Sequence, residues 1–347
     1  MLAAVLDNIK EINVREFPDP LVPSGGAILK VHSCGICSSD LKFINHGDRV
    51  EKFPAILGHE IAGEIVETDN PDSSFKVGKK VAIASEIPCK KCKPCKSDLE
   101  NLCNDVLSIG TTIQGGFAEF MPIPRELLDR GPINLIPDSL TYKQASLAET
   151  LGCIVNAMEF SRMGPGKTVA IVGAGYMGSL MVNVARIFHA EKIVMIDKDP
   201  KRLKQAEVFD ADVYICSENL DSFVQLALEE VNNEGFDVVI AACSNVTAFE
   251  QSILLGAKGG FINLFGGIRK KAKDTVKFPS NFVHYRQISI SGTFSSSKKH
   301  HKTALNYLNS GKIKTDSLIT HEFKLSEFKE AITVVSSGEG LKVIINP

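Results

Sequence analysis

The sequence predicts an α/β protein in two parts, a strand-rich first part followed by a doubly wound parallel sheet. Three observations predict it. At 347 residues the chain is too long for one simple core. Its periodicity changes near residue 150, from short β-type runs to strands alternating with helices. Finally, Thr168-Val-Ala-Ile-Val-Gly-Ala-Gly-Tyr-Met-Gly178 reads as strand, tight glycine turn and helix.

In order, Met1-Leu-Ala-Ala-Val-Leu is followed at once by Asp7 and reads as a strand, not a signal peptide. Gly26–His32, Gly63–Glu67 and Lys80–Ala84 are further short strands broken by Gly, Pro and Asn/Asp. Nothing long and helical is expected before about residue 140. From 150 to 293 the strand candidates are Val169–Val172, Lys192–Ile196, Val213–Cys216, Asp237–Ala242, Gly260–Phe265 and Gln287–Ser291. Helical or loop stretches separate them. Ser295–His301 reads as a polar connector. The tail offers helices over Thr303–Ser310 and Leu325–Ser336 and a closing strand over Leu341–Ile345.

The glycine turn carries the first chemistry. Gly173 permits the turn, Gly175 lets the backbone approach a pyrophosphate, and Gly178 lets the helix pack on the strand. Tyr176 and Met177 fill the variable places, where free N–H groups face a bound phosphate. The second strand ends at Asp197, 19 residues past Gly178, where a carboxylate accepts from the ribose hydroxyls of NAD. That carboxylate repels the extra phosphate of NADP, although Lys198 and Arg202 lie close enough to soften the repulsion. The plainer alternative is an ordinary βαβ unit with a surface Asp.

Composition sets limits. A hydrophobic content of 44% with 23% charged residues is that of an ordinary globular chain. The net charge of −2 supplies no field for nucleic acid or an anionic membrane, and no apolar run is long enough to span one. A cytoplasmic location is expected. Nine cysteines without a secretion signal argue for metal ligands over disulfides.

Four of them, Cys89-x2-Cys92-x2-Cys95-x7-Cys103, lie within 15 residues. Four soft thiolates suit a tetrahedral zinc with no open position, so this site should be structural. The neighbouring Lys90, Lys91, Lys93 and Lys96 would offset part of the thiolate charge. A nucleic-acid-binding ribbon is disfavoured, because no aromatic residue is interleaved. A second constellation joins Cys37-Ser-Ser39-Asp40 to Gly58-His59-Glu60. A mixed sulfur, nitrogen and oxygen set with an open position is what a catalytic zinc uses. Cys37 and His59 are both expected in loops leaving strands. Glu149 is a further acidic candidate, with Cys153 as the competing ligand.

Together these motifs, with Gly115-Gly-Phe-Ala-Glu119, resemble the zinc-dependent medium-chain alcohol dehydrogenase family over essentially the whole chain. Within it the chain looks like the sorbitol (polyol) dehydrogenase branch, including the galactitol-phosphate dehydrogenases. A glutamate at the place of Glu149, where simple-alcohol members carry cysteine, is a mark of that branch. The resemblance implies a GroES-like catalytic domain over 1–149 with its zinc lobe at 89–103, a Rossmann domain over 150–293, and a return to the catalytic domain over 294–347. It implies two zinc ions per subunit. Cys37, His59 and Glu60 match catalytic-zinc ligands, and Glu149 matches a fourth, direct or through water. Cys89, Cys92, Cys95 and Cys103 match the structural site. Asp40 matches a carboxylate that orients a ligand histidine, and Ser39 the hydroxyl that passes the substrate proton outward. Lys42 departs from the pattern, standing where many members complete that relay with histidine; water or His46 would take over. Asp210 replaces a usual glycine, which reads as surface variation. The implied reaction is oxidation of a secondary alcohol, of a free or phosphorylated polyol, with NAD; threonine or a simple secondary alcohol is the alternative. A homodimer or homotetramer is implied. Phe43, Arg49, Lys52, Phe117, Glu119 and Phe294 are candidates for the cleft, with Phe43 and Phe117 equally readable as core and Arg49 and Lys52 as a solvated loop. Asn281–Tyr285 is expected near the cofactor or at a subunit contact.

Overall fold

A computed structural model describes residues 1–70, 74–217, 223–268 and 275–347. The chain forms two compact units. The first comprises Met1–Cys153, Ser295–Gly311 and Thr315–Pro347, and the second Ile154–Phe294 with Lys312–Lys314.

The first unit is built on a mixed seven-stranded sheet. Its path runs Ile133–Leu135, Lys80–Ile83, Glu60–Thr68, Ala27–Gly35, Lys342–Asn346 and Ile319–Lys324, and Phe120–Ile123 also pairs with Ala27–Gly35. A smaller sheet joins Glu11–Glu16, Leu2–Asn8 and Ala55–Ile56. The last strand matters for the site. Lys342–Asn346 runs antiparallel to Ala27–Gly35, with Ile344 opposite Gly35 and Ile345 opposite Cys34. Apolar side chains from both chain ends share one core, in which Phe117 meets Phe328 edge-on at 4.9 Å between ring centroids.

The second unit holds a six-stranded parallel sheet in the order Val213–Cys216, Lys192–Asp197, Thr168–Val172, Phe236–Ala241, Gly256–Leu264, Ser289–Gly292. The order reverses beside Thr168–Val172, the place where this architecture binds ligands. The central strands bury both faces, which is why they read as unbroken apolar runs.

Two expectations fail locally. A nine-residue helix, Ser38–His46, stands well before residue 140. Only Asp40, Phe43 and Ile44 are buried on it, too narrow a stripe to show as periodicity. Half of the supposed connector 295–301 is helical, because the Ser297 hydroxyl accepts from His300 N–H and starts the helix Lys298–Asn309. His59 lies, as expected, in a loop leaving a strand, between Ala55–Ile56 and Glu60–Thr68. Asp210 is exposed. It sits at φ 60°, a left-handed conformation that glycine adopts freely and aspartate tolerates, and its carbonyl accepts from Arg186 at 2.9 Å.

Candidate functional site

Cys37 follows the strand Ala27–Gly35 and caps the helix Ser38–His46, its N–H donating to Asp40 Oδ2 at 2.8 Å. The other Asp40 oxygen lies 3.4 Å from His59 Nδ1. One fully buried carboxylate thus closes the helix and faces the imidazole. The second ring nitrogen, Nε2, is 3.4 Å from Ser39 Oγ. Ligand atoms of Cys37, His59 and Glu60 all lie within 4.8 Å of one another. Gly35 makes room for this, since a Cβ there would meet Glu60 Oε2 at 2.0 Å.

Glu60 is fully buried and its neighbours come from far along the chain. Thr150 Oγ1 donates to Oε1 at 3.0 Å. Lys342 Nζ donates to the same oxygen at 2.7 Å, lies 2.5 Å from Oε2, and also reaches the Ile36 carbonyl at 3.2 Å. Lys342 is only 2% exposed, so this is a buried ion pair. Neither Thr150 nor Lys342 was visible as a site residue in the sequence. The available signal was a lysine opening an otherwise apolar closing strand. Glu149, on the first turn of the helix Ala148–Phe160, lies outside the Cys37, His59 and Glu60 set. It reaches the same neighbourhood through Thr150 Oγ1, 3.4 Å from its Oε2, and Cys153 Sγ stands 3.7 Å from its Oε1.

Burial dominates the titration of these groups. It pushes Glu149 up to about 7, with help from Glu60 and Glu86 against His59 and Lys342. It drives the Cys153 thiol well above its usual value. For His59 burial opposes the charge, yet Asp40 and Cys37 outweigh it and the net direction is well upward.

The donor chemistry fits a cation. Asp40, Glu60 and Glu149 are three buried carboxyl groups gathered with the Cys37 thiol; Lys342 pairs with Glu60 and His59 faces Asp40. A thiol, an imidazole and a carboxylate within 4.8 Å of one another are the mixed donor set that a zinc ion takes. The second set is equally compact. The four sulfurs of Cys89, Cys92, Cys95 and Cys103 lie within 4.8 Å of one another, with Cys92 3.4 Å from Cys95. All nine cysteines are free. Backbone N–H groups of Cys95 and Asn104 lower the Cys92 thiol to about 6, whereas burial raises the thiols of Cys95 and Cys103. Of the neighbouring lysines, Lys90 pairs with Glu100.

At the glycine turn, a Cβ on Gly178 would lie 1.8 Å from the Gly173 carbonyl oxygen, and Gly173 itself has φ 118°. The protein requires both glycines. Gly175 differs, because a Cβ there meets nothing within 4 Å. No protein atom demands a glycine at that point, whereas a pyrophosphate lying against the backbone would. Tyr176 and Met177 begin the helix Tyr176–Ile187, where Ser179 N–H donates to Gly175 O at 2.9 Å. Asp197 braces the turn, accepting from Ala174 N–H at 2.7 Å and Asp199 N–H at 2.9 Å. Each of its oxygens keeps a lone pair for a ribose hydroxyl. Lys198 is exposed, and Arg202 leans 4.0 Å from Asp199.

The remaining candidates divide. Phe117 is fully buried core, and Phe43, in the same core, also lies 6.5 Å from the His59 ring. Glu119 is structural, accepting from Leu2 N–H at 2.6 Å. Lys42, His46 and Lys52 are exposed. Arg49 lies in an exposed loop, with its Nη1 3.6 Å from buried Glu86.

Residues 23–132 match the alcohol dehydrogenase GroES-like domain and residues 177–310 the zinc-binding dehydrogenase domain. A sorbitol dehydrogenase of Bacillus subtilis (strain 168) is 31% identical over 357 residues, covering 100% of this chain and 97% of that one. The chain belongs to the zinc-dependent medium-chain alcohol dehydrogenase family. D-arabinitol dehydrogenase 1 of Uromyces fabae is 30% identical, covering 100% of this chain and 97% of its own. Among solved structures, a zinc-binding dehydrogenase from Sinorhizobium meliloti 1021 bound to NADP superposes with a TM-score of 0.90 at 27% identity, covering 100% of this chain and 99% of that one. Alcohol dehydrogenase TADH from Thermus sp. ATN1 gives 0.89 at 25%, with the same coverage. The GroES-like and Rossmann architectures expected from the motifs are thus those of the family.

Proposed function

We propose that this chain is a zinc-dependent polyol dehydrogenase that oxidises a secondary hydroxyl of a sugar alcohol to a ketone, with NAD+ taking the hydride and one proton released. The observation that carries the reading is the grouping of Cys37, His59 and Glu60, whose ligand atoms all lie within 4.8 Å of one another. These three side chains would hold a catalytic zinc, with Glu149 at the fourth place, directly or through water. Cys89, Cys92, Cys95 and Cys103 would hold a structural one. A catalytic zinc supplies Lewis acidity; for water this lowers the pKa from about 15.7 to about 7, worth roughly 12 kcal/mol.

The protein's own residues do the rest. Asp40 holds the His59 ring by its Nδ1 side, leaving Nε2 toward the reacting centre. Ser39 Oγ, beside that nitrogen, accepts the substrate proton and hands it outward. Lys42 and His46 are both exposed, so the outward path runs by water from Ser39. Lys342 and Thr150 fix Glu60 and restrain how much negative charge it presents. The turn 173–178 and Asp197 would position the dinucleotide, with Asp197 favouring NAD over NADP. The sorbitol and arabinitol dehydrogenases among the relatives, and Glu149 itself, support a polyol over threonine or a simple alcohol. A homodimer or homotetramer in the cytoplasm completes the proposal; none of the described helices is long and apolar enough to cross a membrane.

The test is a metal assay with a substrate panel. Two zinc ions per chain, and NADH absorbance with free or phosphorylated polyols exceeding that with threonine and 2-butanol, are expected. The ratio of kcat/KM for NAD+ over NADP+ should exceed one. Absence of NADH formation with every alcohol, or full turnover after the metal is stripped, would overturn the reading.

A further inference from the structure

A second group of polar side chains in the first unit remains outside this scheme. Glu86 opens the two-residue strand Glu86–Ile87 and is 7% exposed. Its Oε2 accepts from Ser85 Oγ at 2.9 Å and from Ser295 Oγ. Its Oε1 faces Arg49 Nη1 at 3.6 Å, an ion-pair contact longer than a hydrogen bond. One oxygen of Glu86 thus accepts from hydroxyls, and the other faces the guanidinium. Arg49 stands at φ 62°, a conformation that costs a residue with a Cβ about 1 kcal/mol. Its loop continues from the helix that carries Ser39 and Asp40. The guanidinium side is half exposed, so the pair presents an acceptor and a donor at a surface, not inside a sealed core.

This pair lies against the candidate site. Ser296, next to Glu86's partner Ser295, packs on the helix bearing Glu149, one turn further along; its Oγ would be 3.1 Å from a Cβ on Gly152.

We infer that Glu86 and Arg49 form the element that reads substrate: Glu86 Oε1 accepts from one hydroxyl of an unphosphorylated polyol, beyond the reacting carbon, and Arg49 donates to its neighbour. Two vicinal hydroxyls present one donor and one acceptor to such a pair. A simple secondary alcohol has nothing to offer it. A phosphate would bring two negative charges to a wall that holds Glu86, so phosphorylated polyols are poor ligands. The inference rests on the dehydrogenase reading, narrowing its substrate class.

The experiment uses the zinc-loaded full chain. Glu86→Gln, Arg49→Gln and Arg49→Lys are compared with the parent on xylitol, sorbitol, sorbitol 6-phosphate and 2-butanol, and xylitol binding to the NADH-loaded protein is followed by calorimetry. For Glu86→Gln and Arg49→Gln, KM and Kd for the free polyols should rise about tenfold to a hundredfold, the cost of a lost charge-assisted hydrogen bond. Polyol kcat and the kcat/KM for 2-butanol should stay within about twofold, and Arg49→Lys should recover part of the loss. Polyol KM and Kd unchanged in both Gln variants would overturn the inference, as would equal losses on 2-butanol or a preference of the parent for the phosphorylated polyol. If the parent oxidises no alcohol yet loses xylitol binding on Glu86→Gln, the catalytic proposal fails and the binding assignment stands.

Discussion

Buried charge decides the residue scale. Cys37 and His59 would hold the ion on which the proposed chemistry depends. Cys37→Ala and His59→Ala should each abolish turnover while zinc content falls from two per chain to one, because the four-cysteine site is separate. Circular dichroism should show the fold retained; near wild-type activity in either variant refutes the assignment. Lys342 makes a sharper prediction. Lys342→Met leaves the Glu60 carboxylate buried without its ammonium, and breaking one side of such a pair costs about 3–5 kcal/mol. Adding Glu60→Gln should restore a large part of that stability without restoring activity. Urea unfolding of the single and double variants measures both, and an unaltered midpoint in Lys342→Met would count against the pair.

Glycines that look alike in the sequence separate at the element scale. Gly173, Gly175 and Gly178 were given three roles from the pattern. Gly178 and Gly173 are required by protein atoms, whereas the place of Gly175 is open. Gly178→Ala should therefore destabilise the chain, since its Cβ must displace the Gly173 carbonyl. Gly175→Ala should leave the melting temperature near that of the parent and raise the Kd for NADH at least tenfold. A thermal scan with fluorescence titration separates the two. If Gly175→Ala binds NADH normally, no dinucleotide lies against that turn. Elements marked by strong periodicity, such as the paired runs at 168 and 192, were legible because buried parallel strands are continuously apolar. The helix Ser38–His46 was not, because its cap is a cysteine with an aspartate and its buried stripe is short.

For the whole molecule, stability against acid should report His301. This residue is fully buried and burial pushes it down to about 3, while Asn134 donates to its Nδ1 at 2.9 Å. Its folded value lies below its unfolded one, so its stabilising contribution is complete above about pH 6.5 and is lost as pH falls toward 3. The unfolded chain takes up that proton first, a slope of about 1.4 kcal/mol per pH unit. His301→Gln should flatten the fall in urea-unfolding stability between pH 6 and pH 4 relative to the parent. Identical slopes would show that the imidazole is protonated in the folded chain.

The sequence by itself determined the fold class, the glycine turn with its distant aspartate, and the close spacing of the four cysteines. All of these are written in local spacing, because a turn, a strand end or a ligand loop is fixed by residues a few positions apart. Tertiary structure decided what lies around Glu60 and Glu149. Lys342 reaches Glu60 only because the closing strand pairs beside Ala27–Gly35, and Glu86 meets Arg49 and Ser295 only after three separate segments pack together. Strand register and packing between distant segments leave no periodicity in the chain, so a buried lysine and a buried glutamate look there like any others.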